Sequence, residues 1–234
     1  MSSPKGKDVQ MSNLNNIVGL DARASGAESV IIPVVVDKEA RTAYDLFTHL
    51  FNEKRIIYLV GPIGDTMATA VCAQIMELAE RDDKKPIVLY INSPGGSVTA
   101  GLAIYDAMQN APCPVNTYCS GIAASMAAVL LAAGTQRSIG ANSMVMIHEP
   151  SDGNSGTALD MEINNSLMQR FKRQLNEILA NHTGQTVSRV QRDTERDYWM
   201  SAKEAQEYGI VDTISVANTG HNKKPYTKAP RAVQ

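Results

Sequence analysis

C-S-G-I-A-A-S-M-A-A-V-L-L-A-A-G, residues 119–134, is the stretch whose reading decides the fold. The strand-like residues 114–120 stop at Gly121, and small residues lead to Ser125 and an apolar helix-forming run that ends at Gly134. Helix N-termini carry unpaired N–H groups and the positive end of the dipole, so they favour developing negative charge. A nucleophilic serine at such a place has one oxyanion donor at hand, the N–H of the following residue. The plainer alternative is a buried serine bonded back to its own helix. The rest of the chain has to choose between them.

Working outward, strands of about five residues alternate with longer helical patterns. Residues 56–60 and 87–91 read as short buried strands, and 115–119 as a third. A helix bearing Met67, Val71, Ile75 and Leu78 follows the first, with Asp65 as its expected cap. The second strand is followed by Ser93-Pro94-Gly95-Gly96 and a helix to about Asn110. This alternation is the βαβ signature of a parallel sheet. Residues 138–139 and 144–147 add two short strands. Upstream, the β-branched residues 30–36 are strand-like, though Pro33 confines them to an edge or a non-sheet role, and Tyr44, Leu46, Phe47, Leu50 and Phe51 recur at helical spacing.

Residues 157–183 form a different object, a long helix with Ile163, Leu167, Phe171, Leu175, Ile178 and Leu179 on one stripe and Gly184 as its cap. At 1.5 Å per residue it is a rod of roughly 40 Å. That is too long to lie wholly on a five-stranded sheet, so part of it is expected to meet another subunit. Helices over 186–193 and 201–208 complete the pattern. The domain is expected over 29–215, with a flexible extension at 1–28 and a polar, basic tail at 216–234.

The chain has 44% hydrophobic and 20% charged residues, and its formal net charge of −2 gives no hint of nucleic acid or an anionic membrane as main partner. The longest apolar run, residues 122–133, is too short to span a bilayer, and no apolar core follows Lys5 and Lys7 as a secretory signal would require. Cys72, Cys113 and Cys119 are odd in number and lack C-x-x-C spacing, so they read as reduced core residues of a cytoplasmic protein. No metal-ligand spacing or nucleotide-binding glycine motif appears, and no cofactor is expected.

A serine nucleophile needs a base. His49 falls in an amphipathic helix, His182 at a helix C-terminus where a cation is favoured, and His221 in the tail. His148 closes the strand at 144–147, where parallel sheets gather catalytic groups. The base needs an acceptor in turn, and the acidic residues of R-D-T-E-R-D (192–197) are the candidates, although charge runs are usually solvated faces. Gly95 and Gly96 can present backbone N–H groups to a ligand unobstructed; the alternative is an ordinary glycine-rich turn.

The motifs I-N-S-P-G-G-S-V-T-A-G-L-A-I-Y-D (91–106), G-I-A-A-S-M-A (121–127), M-I-H-E-P (146–150), H-T-G-Q (182–185), R-D-T-E-R-D (192–197) and A-x-E-Y-G-I-V-D (205–212) resemble the Clp protease proteolytic subunit, ClpP. The resemblance covers about residues 30–214. It implies an α/β, crotonase-like spiral of βαβ units with a protruding helical handle, matched by 157–183. It implies a serine endopeptidase with Ser125 as nucleophile, His148 as base, Asp197 as orienting carboxylate, and the N–H groups of Gly96 and Met126 as oxyanion hole. It also implies two stacked heptameric rings that enclose a proteolytic chamber and are coupled through an ion pair of Glu195 and Arg196. The implied partner is an AAA+ Clp unfoldase, which alone uses ATP and delivers unfolded polypeptide. The chain departs from the family at Ile122, where Gln is usual, at Ala127, where Gly is usual, and at Glu149, where Gln usually follows the histidine. Two alternatives remain: a catalytically quiet or altered subunit working with a paralogue, and a crotonase-type acyl-CoA enzyme.

Overall fold

A computed structural model describes residues 34–37, 42–151 and 157–215. The expected extension at 1–28, part of the expected strand at 30–36, and the tail at 216–234 lie outside the described residues. The chain divides into two compact units between Thr48 and His49.

In the first unit, β1 (Val34–Asp37) and β2 (Thr42–Asp45) pair as an antiparallel hairpin. Tyr44, expected in the helical stripe, belongs to β2; α1 (Leu46–Lys54) begins two residues later. The break is set by Asp45, whose carboxylate accepts the Thr48 N–H at 3.0 Å and so caps the helix. The Thr48 hydroxyl first, and this N–H with it, hold the Asp45 carboxyl below its usual range.

The second unit is built on a seven-stranded, mostly parallel sheet. Its main path runs β3 (Ile56–Val60), β4 (Ile87–Ser93), β5 (Val115–Ala124), β6 (Arg137–Gly140), β9 (Thr213–Ser215). α2 (Asp65–Arg81) and α3 (Val98–Asn110) make the crossovers β3–α2–β4 and β4–α3–β5. Ile57, Leu59, Ile87, Leu89 and Ile91 have no exposed surface, and they pack with Val71, Ile75 and Leu78 of α2 and Ile104 of α3 in one core. Asp65 does not cap α2: the cap position is Gly64, which makes no side-chain bond, and Asp65 is the first helical residue.

β5 also departs from expectation. It does not stop at Gly121 but bends there, at φ 90, and continues to Ala124. Its first half pairs with β4 and β6, and its second half with β7 (Met144–Ile147), Ala123 also lying opposite Ser93 of β4. The bend is held from two sides. Ser143 Oγ accepts the Gly121 N–H at 2.9 Å, and Asn92 Oδ1 accepts the Ile122 N–H at 3.3 Å. β5 then runs into α4 (Met126–Ala132), a helix buried along its whole length, which explains why it is made only of Met, Ala, Val and Leu.

α5 (Ala158–Thr183) starts at a capping box of Thr157 and Asp160 and ends at left-handed Gly184, as its stripe and cap require. The stripe divides along its length. Leu175, Ile178 and Leu179 are buried, while Ile163 and Leu167 are 58% and 44% exposed. Contrary to the expectation that its C-terminus favours a charged His182, burial and the nearby Arg137 push that imidazole's pKa down. α6 (Val187–Asp193), β8 (Tyr198–Ser201) and α7 (Ala202–Tyr208) complete the unit. β8 and β9 were not foreseen; β8 pairs antiparallel with β7, and β9 parallel with β6. No helix among the described residues is long and apolar enough to cross a membrane.

Candidate active site

Ser125 sits at the joint of β5 and α4 with φ 56 and ψ −124, a left-handed conformation that a non-glycine residue adopts at a cost of about 1–3 kcal/mol. Two contacts hold it there. Its N–H donates to Met146 O at 2.8 Å, extending the β5–β7 ladder to the turn. Gly95 lies against its other side: a Cβ on Gly95 would come within 2.7 Å of Ser125 Cβ and 2.6 Å of Ala124 O. The hydroxyl makes no bond to its own helix, so the plainer alternative for this serine is excluded. Instead Ser125 Oγ lies 2.8 Å from His148 Nε2.

His148 follows β7, and its Nδ1 lies 3.2 Å from Asp197 Oδ1. The register explains why two residues so far apart in sequence meet. β7 and β8 pair antiparallel with Ile147 opposite Tyr198, so the next position along the ladder sets His148 opposite Asp197. The three side chains expected to work together therefore form one line, Ser125–His148–Asp197. The Asp197 side chain is 60% exposed in the single chain, whereas that of His148 is 25% exposed.

The Ser93–Gly96 loop is pinned beside the serine. Ser93 Oγ accepts the Gly95 N–H at 3.1 Å, and Ile63 pairs with Gly96 through its N–H to Gly95 O and its O from the Ser97 N–H. A Cβ on Gly96 would lie 2.2 Å from Ile63 O, so only glycine lets the loop close on that partner. Met126 is the first residue of α4, where an amide has no acceptor within the helix. A cleft of about 240 Å³ opens here, lined by Pro94, Gly96, Val98, Ser125, Met146 and His148 among others. A small apolar recess adjoins it, walled by Val98, Met126, Val129, Ile147, Leu175 and Leu179.

Glu195 and Arg196 are exposed, and neither joins an ion pair among the described residues of this chain. Glu149 does: its carboxylate meets Lys172 Nζ of α5 at 2.5 Å. Sequence reasoning missed Lys172, and also Asn92 and Ser143, which carry no chemistry of their own and mark the bend only through its geometry. Among the described residues, no group of three or more His, Cys, Asp or Glu could hold a metal ion.

An alcohol hydrogen-bonded to an imidazole, itself facing a carboxylate, is the arrangement that activates a hydroxyl as nucleophile. Residues 37–218 match the family model described as Clp protease. The chain belongs to the Clp protease family. As a Clp protease proteolytic subunit it is a ClpP-like peptidase, and its parallel βαβ sheet with the long α5 is the ClpP fold. The peptidase class suits the cleft lining, which among the described residues offers a hydroxyl, an imidazole and backbone amides but no carboxylate.

Proposed function

We propose that the chain is a serine endopeptidase in which Ser125 is the nucleophile, His148 the general base and Asp197 the carboxylate that orients it. The single observation that carries this is the line from Ser125 Oγ through His148 to Asp197, a hydrogen bond of 2.8 Å followed by a nitrogen–carboxylate contact of 3.2 Å. Ser125 Oγ attacks the scissile carbonyl while its proton passes to His148 Nε2. The imidazolium is steadied at Nδ1 by Asp197 and then protonates the leaving amine. The oxyanion forms between the N–H groups of Met126 and Gly96, at the start of α4. Water, activated by His148, releases the acyl group in the second half of the cycle.

The proposal extends to a ring-forming subunit of an ATP-dependent protease, two stacked heptamers fed with unfolded polypeptide by an AAA+ Clp unfoldase that alone consumes ATP. The exposed apolar half of α5 supports assembly, since such a stripe is left uncovered in a single chain. Three free cysteines, two of them buried, agree with a reducing, cytoplasmic setting. For the unfoldase, Tyr58, Tyr90 and Tyr118 form a row of tilted rings with centroids 5.1 and 5.2 Å apart, and Tyr118 lines a groove of about 640 Å³ with Val88 and Ser138. Arg137, Asp212 and Asn116 make that groove more polar than an apolar loop tip prefers. A heterologous Clp unfoldase is therefore expected to dock weakly and to degrade a folded, tagged substrate poorly with these rings. Efficient ATP-dependent degradation by these rings with that unfoldase would show that the remaining aromatics suffice.

The deciding experiment is labelling of the purified protein with a fluorophosphonate together with cleavage of a short fluorogenic peptide. Ser125 is expected to carry the label, and Ser125→Ala to lower kcat by several orders of magnitude with assembly unchanged, because alanine fits the small-residue packing. Cleavage retained in Ser125→Ala would assign the nucleophile elsewhere.

A further inference from the structure

Three close polar contacts around His148 close a ring that the triad itself does not require. The Glu149 carboxylate, next to His148 in sequence, pairs with Lys172 of α5. The Glu149 N–H donates to Thr194 O at 2.7 Å, which ties the segment after β7 to the turn that leads to Asp197. Thr194 is 1% exposed, and its hydroxyl lies 3.3 Å from Oδ1 of buried Asn176, again on α5. Lys172 and Asn176 are four residues apart, so they stand on the same face of α5 on successive turns. One helix face therefore grips both segments, the one carrying the base and the one carrying its carboxylate, and the two segments grip each other.

We propose that Glu149 and Lys172 are positioning residues for the reaction, clamping the His148 segment to α5 so that Nε2 stays on Ser125 Oγ and Nδ1 on Asp197. The inference rests on the assignment of His148 as general base. Its physical basis is the weakness of the His148–Asp197 contact as an anchor. With Asp197 60% exposed, that pair competes with water and cannot by itself fix the imidazole. The Lys172 side chain is only 21% exposed, and it reaches Glu149 from a helix whose adjoining turns, at Leu175 and Leu179, are buried in the core. The clamp thus borrows its rigidity from the anchored half of α5. It also works with the glutamate this chain carries: a neutral glutamine at 149 keeps the backbone bond to Thr194 but loses the ionic grip on Lys172. Small displacements of a general base are costly because proton transfer needs hydrogen-bond reach in the transition state.

The test uses the full chain in its assembled form and four variants: Glu149→Gln, Lys172→Met, Lys172→Arg and the exchanged pair Glu149→Lys/Lys172→Glu. Glu149→Gln is expected to lower kcat about threefold, the scale of a partly exposed ion pair, and Lys172→Met about tenfold because it leaves the carboxylate unpaired. KM should stay within about twofold, since neither side chain lines the cleft. Lys172→Arg should keep close to full kcat, and the exchanged pair should recover part of what either single change loses. Hydrogen exchange, read by mass spectrometry, should rise in peptides covering 147–150 and 194–197 and stay level in those covering α2. Wild-type kcat in both Glu149→Gln and Lys172→Met would overturn the positioning role, and unchanged exchange in the two segments would overturn the clamp. Failure of the peptidase assignment reads differently: the wild type would not take a fluorophosphonate at Ser125, and the exchange measurement would still decide the clamp.

Discussion

Gly95 shows how much of the site is fixed by what is absent from a residue. Its φ of +93 is closed to side chains at low cost, and any Cβ would press on Ser125 Cβ, Ala124 O and Met126 N at once. Gly95→Ala is therefore expected to push the serine off its histidine and lower the rate of fluorophosphonate labelling by about 100-fold, the scale of a displacement near 1 Å. Gly64→Ala, where nothing lies within 4 Å, serves as control and should label normally. Labelling of Gly95→Ala at the wild-type rate would show that the loop gives way without moving Ser125. At this scale the sequence was readable where chemistry and position coincide: a serine before an apolar helix, a histidine closing a strand, two glycines after another. Asp197 could not be told from its acidic neighbours by residue type. What singles it out is the β7–β8 register, and β8 is four residues, Tyr-Trp-Met-Ser, of which only Met200 is buried. Such a strand has too little alternation to be seen before it is paired.

At the scale of elements, helix ends carry the most informative difference between expectation and structure. His182, in the last turn of α5, has the macrodipole in its favour as a cation. Yet its Nε2 lies 3.1 Å from Tyr105 Oη of α3, its ring meets the tyrosine edge-on, and its carbonyl accepts from Arg137 at 2.7 Å. Desolvation comes first and Arg137 second in lowering its pKa below 6.5. Because the folded pKa is depressed, the unfolded chain binds the proton more readily. Stability from this group is full above about pH 6.5 and is lost as pH falls from there through the folded pKa. Wild-type Tm is accordingly expected to fall between about pH 7.5 and pH 5.5, and His182→Gln to flatten that part of the curve. Parallel curves for the two proteins would assign the loss to other groups. Asp212 does not confuse the window: hydrogen bonds from Arg137 hold its carboxyl below 3.8, so its stabilising share is lost only in stronger acid. Burial of a helix end depends on tertiary packing, which is why periodicity and capping signals located α5 correctly and misjudged the state of its last histidine.

The whole molecule is governed by the division of α5 into an anchored and an uncovered half. Residues at the same stripe positions change from buried at Leu175 and Leu179 to open at Ile163 and Leu167, while Leu159 is 66% exposed. The sequence displays the stripe without marking where the core ends, because an apolar face left open is written like one facing its own sheet. Covering two or three such side chains contributes about 1.5–3 kcal/mol each per subunit, and a closed ring repeats the gain at each contact. The proposed assembly would bear on chemistry, since Asp197 is 60% exposed in the single chain and a carboxylate in water holds an imidazole weakly. Glu195 and Arg196, exposed and outside any ion pair among the described residues, adjoin Asp197 and cannot move independently of it. Leu167→Glu combined with Phe171→Glu is therefore expected to split double rings into smaller species, as read by native mass measurement, and to lower peptide cleavage in the same samples. The fluorophosphonate should label Ser125 more slowly in the split species, in step with cleavage, because the loss arises at the triad and not at substrate entry. A split species that cleaves and labels at the full rate would separate assembly from catalysis and leave Asp197 sufficient as it stands in one chain.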